Sequence, residues 1–356
     1  MDDVQPMRHA LGLAKRALGD VAPNPAVGCV IVSQDGHVAG RGWTQLGGRP
    51  HAETVALTLA QDSAAGGTAY VTLEPCAHLG HTPPCAGALI GAGIKRVVAA
   101  IEDPDPRVKG KGFAVLRRAG VDVLVGVLEA EAAELNAGFF LRINADRPLV
   151  TLKIAQSRDG KTIPPPGASR WITGEESRRF AHLLRSQHDA ILVGLGTAIA
   201  DDPELTCRLP GLENRSPVRI VLDTHLRLPA TAKLVRTARE IPTLVFTAVG
   251  GGDDLRALGV EVLRVMRDER GRPALGAVLG VLAGRGYTRL LVEGGASIWS
   301  QFLHEGLADR LEIFTAPIKV GQGGASPLLS NLNIGYVRTG RRKLGPDLLE
   351  SYAVTA

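Results

Sequence analysis

The stretch that decides the fold of the first half is His51-Ala52-Glu53, followed by Pro75-Cys76 and then by Cys85. An imidazole and two thiols suit Zn²⁺, and three protein ligands leave the fourth coordination position open, as in catalytic zinc sites. Glu53 is then not needed as a ligand, and it is close enough in sequence to act as a general acid and base. We predict one Zn²⁺ per chain, bound by His51, Cys76 and Cys85, with Glu53 as the catalytic residue.

The order H-x-E…P-C…C is typical of zinc-dependent deaminases, in which the Glu moves a proton and does not bind the metal. Here eight residues, 77–84, separate the two cysteines, whereas the usual motif is C-x-x-C. The alternative is a pair of ordinary buried cysteines with an unrelated His. The combination of H-x-E with P-C favours the metal site.

Length and composition are typical of a globular protein with two domains, since the chain has 356 residues, 45% of them hydrophobic and 22% charged. No apolar run is long enough to span a membrane. The N-terminus, Met1–Gln5, lacks the apolar segment of a signal peptide. Four cysteines are too few for a disulfide framework in a chain of this length. We therefore expect a cytoplasmic protein.

The net charge of +5 is compatible with a nucleic acid or with an anionic small molecule as the partner. Lys and Arg are scattered, with one short run at Arg341-Arg342-Lys343. An aromatic content of 4% leaves few platforms on which bases could stack. We expect a phosphorylated small molecule as the substrate, no nucleic acid and no membrane, and a homo-oligomer, either a dimer or a tetramer.

Strand and helix patterns alternate in the first half, which predicts a buried sheet with helices on both faces. Apolar strands are expected at Val27–Val32, Tyr70–Leu73 and Ile94–Ile101. Helices should begin at His51 and near Cys85, where the positive end of the helix dipole favours a thiolate.

One helix over Leu128–Ile143 and a linker over Asn144–Pro148 should end this half. The second half alternates again, with a helix expected at Glu175–Arg185 and strands at Ala190–Gly194 and Arg289–Val292.

Two glycine pairs in the second half bear on anion binding. Gly294-Gly295 lies between a predicted strand and a predicted helix, which is typical either of a phosphate site or of a packing turn. Gly194-Leu195-Gly196 lacks the third Gly of G-x-G-x-x-G. We therefore reject a Rossmann dinucleotide motif there.

Several segments resemble the bifunctional riboflavin-biosynthesis deaminase/reductase family. In the first half these are Asn24–Gly28, His51–Glu53 and Pro75–Cys85, whose ending Thr-Pro-Pro-Cys separates this family from cytidine and tRNA adenosine deaminases. In the second half, Lys153–Gly160 and Val292–Gly295 resemble the reductase part of the same family. The resemblance covers residues 7 to about 320 in the order of the family.

The resemblance implies an α/β protein of two domains. Residues 1–146 would form a three-layer α/β/α cytidine-deaminase-like domain, and residues 147–356 a dihydrofolate-reductase-like α/β domain. The first would use Zn²⁺ to hydrolyse the 2-amino group of a diamino-hydroxypyrimidine ribosyl phosphate. The second would use NADPH to reduce the ribosyl group to ribityl.

The resemblance also implies binding residues, carried over position by position. NADPH would contact Ala155, Trp171, Thr197, Asp201, Thr224, Gly295, Ala296, Ser297, Ile298, Trp299, Ser300 and Gln301. The substrates would contact Asn24, Lys153, Ser169, Arg185, Leu205, Arg208 and Glu293. Two of these, Arg185 and Arg208, could bind a phosphate bidentately, although a surface ion pair is the alternative for either arginine.

This chain departs from residues that are common in the family at four positions, Thr44, Ala77, Leu79 and His81.

Two other functions fit part of the pattern. One is a nucleic-acid or nucleoside deaminase fused to an unrelated reductase, which the Thr-Pro-Pro-Cys ending and the low aromatic content disfavour. The other is a zinc-stabilised binding protein without catalysis, which Glu53 beside a three-ligand site disfavours.

Overall fold

The computed structural model of the chain describes residues 2–77, 84–162, 171–321 and 335–355. Ser169, Leu79 and His81, which the sequence singles out, lie outside these ranges. The chain divides into two compact units, unit 1 (Met1–Asp146) and unit 2 (Arg147–Ala356). Within the described ranges, no helix combines the length and the apolarity needed to cross a membrane.

Unit 1 contains a five-stranded mixed sheet. Its strands are β1 (Gly28–Val32), β2 (Val38–Trp43), β3 (Thr68–Val71), β4 (Arg96–Ala99) and β5 (Asp122–Val125). They lie in the order β2-β1-β3-β4-β5, with β1 antiparallel to both of its neighbours and β3, β4 and β5 parallel. Its helices are α1 (Val4–Ala14), α2 (Ala52–Ala60), α3 (Cys85–Gly91), α4 (Lys111–Arg118), α5 (Glu129–Leu135) and α6 (Ala137–Ala145).

Helices cover both faces of this sheet because successive residues of a strand point to opposite sides. Cys29 and Ile31 of β1 pack in a core with residues of α2, α3 and α4. Val30 and Val32 pack on the other face with α1 and α5. The predicted three-layer α/β/α arrangement is therefore confirmed.

Two glycines of β2 allow α2 to approach the sheet closely. A Cβ on Gly40 would lie 2.0 Å from the carbonyl oxygen of Ala56, and one on Gly42 would lie 2.2 Å from that of Ala52. Any larger residue would push α2 outward. Since α2 begins directly after His51 and carries Glu53, the Gly-Arg-Gly sequence fixes where these two side chains lie.

The single helix expected over Leu128–Ile143 is wrong, because α5 ends at Leu135 and α6 begins at Ala137. Asn136 lies at the break with φ −99° and ψ 15°. Its side-chain amide accepts a hydrogen bond from the N–H of Ala26 at 2.9 Å and donates one to the carbonyl of Ala26 at 3.0 Å. The break places this amide against the loop that carries Asn24.

Unit 2 contains a nine-stranded mixed sheet. Its strands are β6 (Leu149–Ser157), β7 (Ala190–Gly194), β8 (Val218–Leu222), β9 (Thr243–Thr247), β10 (Glu261–Arg264), β11 (Arg289–Val292), β12 (Arg310–Ala316), β13 (Tyr336–Leu344) and β14 (Asp347–Val354). They lie in the order β10-β9-β8-β7-β11-β6-β12-β14-β13. The strands from β10 to β12 in this order are parallel, and β14 is antiparallel to both β12 and β13.

Two apolar cores lie on the two faces of this sheet. One core contains residues of α11 and α12, and the other contains residues of α7, α8 and α9. Strand β13 was not predicted from the sequence, because most of its residues are exposed and it lacks an apolar alternation. The helices are α7 (Glu175–Ser186), α8 (Leu195–Asp201), α9 (Lys233–Arg236), α10 (Asp253–Ala257), α11 (Leu275–Gly284) and α12 (Ala296–His304).

Candidate active sites

The three predicted zinc ligands lie at the ends of elements of unit 1. His51 has extended backbone angles and is the N-cap residue of α2. Cys85 is the first residue of α3, after the N-cap residue Pro84. Cys76 follows β3, the neighbour of β1 in the sheet. The N-terminus of α3 places positive backbone partial charge beside the sulfur of Cys85, which favours the thiolate form.

The geometry of these side chains fits a zinc ion. Nδ1 of His51 lies 3.2 Å from Sγ of Cys85 and 3.7 Å from Sγ of Cys76. All three ligand atoms lie within 4.8 Å of one another. A tetrahedral site with bonds of about 2.0–2.3 Å spaces its ligand atoms by about 3.5–3.8 Å. Among the described residues, this donor set offers three ligands to Zn²⁺, which leaves one coordination position open.

The two thiols share a proton when no cation compensates their charge. Hydrogen bonds from the Cys85 side chain and from His51 lower the pKa of Cys76 to about 4. The hydrogen bond with Cys76, together with burial, raises the pKa of Cys85. The backbone N–H of Cys85 also donates to Sγ of Cys76 at 3.4 Å. A divalent cation at the centre would stabilise both sulfurs as thiolates.

Glu53 lies in the first turn of α2 and is only 3% exposed. Burial raises the pKa of its carboxyl group, although the charge of His51 opposes this shift. A carboxyl group with a raised pKa can both accept and return a proton near neutral pH. Glu53 therefore lies buried beside the metal ligands, and its carboxyl group is less acidic than a solvent-exposed Glu.

A cleft of about 300 Å³ opens onto these residues. Asn24, a predicted substrate contact, lines this cleft together with His51, Glu53 and Cys76. A Cβ on Gly48 would lie 2.0 Å from the side-chain nitrogen of Asn24, so this glycine leaves room for the amide. The structure thus brings Asn24 and the proposed catalytic residue into one cavity.

Sequence reasoning missed Glu74, which also lines the cleft. It is buried, and its carboxylate accepts hydrogen bonds from four backbone N–H groups. These belong to Asp103, Gly110, Gly112 and Phe113, at distances of 3.3, 2.9, 2.8 and 3.3 Å. Glu74 therefore ties the loop after β4 to the segment that leads into Cys76.

That loop contributes Asp103, Asp105 and Arg107 to the cleft wall, and sequence reasoning did not single out these residues either. Burial raises the pKa of Asp103 to about 6, and the nearby charges of Asp105 and Glu74 add to the shift. A signal was present in the sequence, because Asp-Pro-Asp-Pro follows a parallel strand. Ligand-binding side chains collect at the carboxyl ends of such strands.

Thr44, a departure from the family pattern, has a structural role in the same wall. Its hydroxyl accepts a hydrogen bond from the N–H of Val27 at 2.9 Å and lies 3.2 Å from the carbonyl oxygen of Pro25. The residue is 3% exposed. It holds the loop that carries Asn24 against the start of β1.

Unit 2 contains a buried charge cluster formed by three of the predicted substrate contacts. Nε and Nη2 of Arg185 donate to the two carboxylate oxygens of Glu293, at 2.8 and 2.9 Å. Nζ of Lys153 lies 3.9 Å from Glu293 Oε2. Burial alone would raise the pKa of Glu293, but the charges of Arg185 and Lys153 outweigh it and hold the pKa at about 2. Glu293 is therefore an ionised carboxylate with two cationic neighbours.

Only one of the two predicted phosphate-binding arginines is exposed. The third donor of Arg185, Nη1, is bonded to the carbonyl of Thr206 at 2.9 Å, and the side chain is 13% exposed. The side chain of Arg208 is 51% exposed and contacts Glu204 at 3.0 Å. The geometry favours Arg208 as the phosphate contact and gives Arg185 a partner inside the protein.

The predicted NADPH contacts lie on several elements of unit 2. Ala155 lies on β6, and Thr197 and Asp201 lie on α8. Thr224 follows β8, and Gly295 is the N-cap residue of α12. The hydroxyl of Thr197 accepts a hydrogen bond from the N–H of Gly295 at 3.2 Å, so the structure brings these two together.

Some of the predicted NADPH and substrate contacts are buried inside unit 2. Trp299 packs in the core of α11 and α12, and Leu205 packs in the core on the opposite face. Gln301 is 8% exposed and donates a hydrogen bond to Glu305. Trp171, by contrast, is 52% exposed, with the guanidinium of Arg178 over its ring.

Two protein families match the chain. The family described as RibD C-terminal domain matches residues 148–345. The family described as cytidine and deoxycytidylate deaminase zinc-binding region matches residues 1–101. The second match contains His51, Cys76 and Cys85, and the first contains the charge cluster around Glu293.

Proteins similar in sequence and structure match almost the whole chain. The riboflavin biosynthesis protein RibD of Aquifex aeolicus is 46% identical over 89% of this chain and 87% of its own length. The RibD protein of Escherichia coli is 40% identical over 90% of this chain and 89% of its own length. The solved structure of Acinetobacter baumannii RibD superposes with a TM-score of 0.89, at 37% identity and 99% coverage of both chains.

Proposed function

The chain belongs to the RibD family of riboflavin biosynthesis, and on that premise we propose how its own residues divide the work of the two activities. The protein is a bifunctional enzyme, a zinc-dependent deaminase and an NADPH-dependent reductase. The deaminase hydrolyses the 2-amino group of a diamino-hydroxypyrimidine ribosyl phosphate. The reductase converts the ribosyl group of the product to ribityl. We assign the first activity to residues 1–146 and the second to residues 147–356.

One observation supports the deaminase assignment above all: Glu53 lines the same cleft as His51 and Cys76, two of the three residues of the metal-binding cluster. Bound Zn²⁺ supplies the Lewis acidity that makes hydroxide available near neutral pH. Glu53 takes a proton from the attacking water and delivers it to the amino group that leaves as ammonia. The side-chain amide of Asn24, on the same cleft, binds a polar edge of the pyrimidine.

In the reductase, the chemistry of hydride transfer belongs to NADPH, and the protein positions the two reactants. The N-terminal half of α12 and Thr197 hold the cofactor together with Ala155, Trp171, Asp201 and Thr224. Lys153 and Glu293 line the ribosyl site, and Arg208 binds the phosphate. Their burial and mutual contacts support this division. For Trp299, Gln301 and Leu205 the supported role is packing beneath these sites.

Two coupled assays test the proposal. With the diamino-hydroxypyrimidine ribosyl phosphate as the substrate, the protein should release ammonia without NADPH and oxidise NADPH only after deamination. An absence of ammonia release from zinc-loaded protein would contradict the deaminase assignment. An absence of NADPH oxidation on the deaminated ribosyl phosphate would contradict the reductase assignment.

We also propose a cytoplasmic location and a homo-oligomer, a dimer or a tetramer. The four cysteines all lie in described residues and form no disulfide, as expected in a reducing compartment. In the described part of the chain, β13 lies at an edge of the sheet of unit 2, and an unpaired edge can add a strand from a second copy. Light scattering of the purified protein measures the oligomeric state.

A further inference from the structure

Three arginines, Arg49, Arg107 and Arg142, line the cleft of unit 1. The deaminase substrate carries a phosphate, yet Asn24 and Glu53, which are assigned to this substrate above, offer no positive charge to it. A phosphate dianion needs cationic or N–H donors, and arginine provides both in a planar fork. The question is which of these arginines is arranged to use that fork.

Arg107 has one edge of its guanidinium fixed and the other edge open. Its Nε lies 3.0 and 2.9 Å from the two carboxylate oxygens of Asp105, and its Nη2 contacts the same carboxylate. Nη1 makes no hydrogen bond to any residue that the structure describes. The Arg107 side chain is 74% exposed, whereas that of Asp105 is 7% exposed. The open edge, formed by Nη1 and the outer N–H of Nη2, therefore faces solvent at the cleft.

The loop that carries Arg107 is held in place before any ligand binds. The N–H of Arg107 donates to Asp105 at 2.9 Å, and the N–H of Asp105 donates to Asp103 at 2.8 Å. The ammonium of Lys111 donates to the carbonyl of Arg107 at 3.2 Å. Glu74 fixes both ends of the loop through the four hydrogen bonds described above. A side chain that is already oriented loses less conformational freedom when it binds.

We propose that the open edge of Arg107 binds the phosphate of the deaminase substrate, with Arg49 and Arg142 adding positive charge on the same cleft. Asp105 orients the guanidinium of Arg107, and the positive charges of Arg49 and Arg142 on the cleft wall reduce the repulsion between Asp105 and the phosphate. The proposal rests on the proposed deaminase function, because it names a residue that recognises the substrate of that reaction.

The test compares Arg107→Ala with Arg118→Ala, which removes an exposed arginine of α4 that does not line the cleft. Ammonia release is measured with the ribosyl phosphate and with its dephosphorylated ribonucleoside. Arg107→Ala should lower kcat/KM for the phosphate ester by about 10- to 100-fold, mainly through KM, and leave the ribonucleoside unchanged. Arg118→Ala should change neither. Equal losses for both substrates, or no loss for the phosphate ester, would overturn the proposal.

Three controls keep the result interpretable. Zinc content and NADPH oxidation on the deaminated substrate should be unchanged in Arg107→Ala, which shows that both units are folded. If that variant does not fold, Arg107→Lys retains the charge without the planar fork, and a smaller loss confined to the phosphate ester is expected. Inorganic phosphate should inhibit deamination by the wild type at a lower concentration than it inhibits Arg107→Ala or Arg107→Lys. A wild-type protein that deaminates neither substrate contradicts the proposed function instead.

Discussion

Arg185 binds both carboxylate oxygens of Glu293, although the two residues are 108 positions apart in the chain. Both side chains are nearly buried, at 13% and 8% exposure. A charge buried to this extent is tolerated only with a partner, because removing it from water is costly. Arg185 is therefore linked through Glu293 to Lys153, and any effect that it has on the proposed ribosyl site passes through this carboxylate.

Replacing Arg185 with Gln should destabilise unit 2, because the buried carboxylate of Glu293 would lose the partner that binds both of its oxygens and keep only Lys153, at 3.9 Å. The expected loss is about 3–5 kcal/mol in the free energy of unfolding, measured by urea denaturation of the full chain. Arg179→Gln, on the same helix and 70% exposed, should cost less than about 0.5 kcal/mol. Equal stability of the two variants would show that the buried ion pair of Arg185 and Glu293 does not contribute to the free energy of unfolding.

Replacing Arg208 with Ala should weaken binding of the reductase substrate and leave ammonia release unchanged. The loss of a charge-assisted hydrogen bond to phosphate predicts a KM for the deaminated ribosyl phosphate that is about 10- to 100-fold higher. NADPH oxidation and ammonia release are assayed on the same preparation. An unchanged KM would remove Arg208 from the phosphate site.

Replacing Cys85 with Ser should remove or weaken the bound zinc, because an alcohol is a poor ligand for this ion compared with a thiolate. Elemental analysis of purified protein measures one zinc per chain in the wild type and less in the variant. Cys207→Ser, which changes a buried cysteine of unit 2, is the matched control and should keep its zinc. Full zinc content in Cys85→Ser, with unchanged deamination, would exclude Cys85 as a ligand.

Replacing Glu53 with Gln should lower deamination by about 10²-fold or more, since the amide has similar size but cannot move a proton. Zinc should stay bound, and NADPH oxidation should remain intact when the deaminated ribosyl phosphate is supplied. Loss of zinc would identify Glu53 as a ligand. Loss of both activities in a folded protein would contradict the division of the two reactions between the units.

Replacing Asp103 with Asn should stabilise unit 1 at pH 8 but not at pH 4. The pKa of this carboxyl is about 6 in the folded protein and near 3.8 when unfolded, so folding favours its protonated form. The stability that comes from the protonated carboxyl group is fully present below pH 4 and is lost as the pH rises through 6. An Asn side chain has no such proton to lose, so the variant avoids this loss of stability at pH 8. The gain at pH 8 is up to about 3 kcal/mol in the free energy of unfolding.

The pH dependence of this gain, rather than its size, is the diagnostic result. Asp62→Asn, at an exposed position of unit 1, should show no such change between the two pH values. A gain of equal size at pH 4 and pH 8 would mean that the titration of Asp103 is not its cause.

Much of the fold and the metal centre could be predicted from the sequence, because both depend on local patterns. Apolar periodicity located β1, β7 and β11, since burial of alternate or successive residues leaves a direct trace in the chain. The zinc ligands were found because few residue types bind this ion. Glu53 was predicted to be the catalytic residue because it lies two positions after His51 in the sequence.

The tertiary structure alone decided the contacts between residues that are distant in sequence. Arg185 was predicted to bind phosphate, and only the folded chain shows that Glu293 occupies its donors. Likewise, the carboxylate of Glu74 accepts hydrogen bonds from four backbone N–H groups that lie at least 29 positions away in the sequence. The amide of Asn136 contacts Ala26 across 110 positions.

The physical reason is that a polar side chain does not specify its partner. A carboxylate accepts hydrogen bonds from any donor that the packing of the elements brings within about 3 Å, and nothing in the local sequence names that donor. The sequence therefore determined which chemical groups this protein has and which of them bind the metal. The packing of the two sheets and their helices determined which groups are left to meet a substrate.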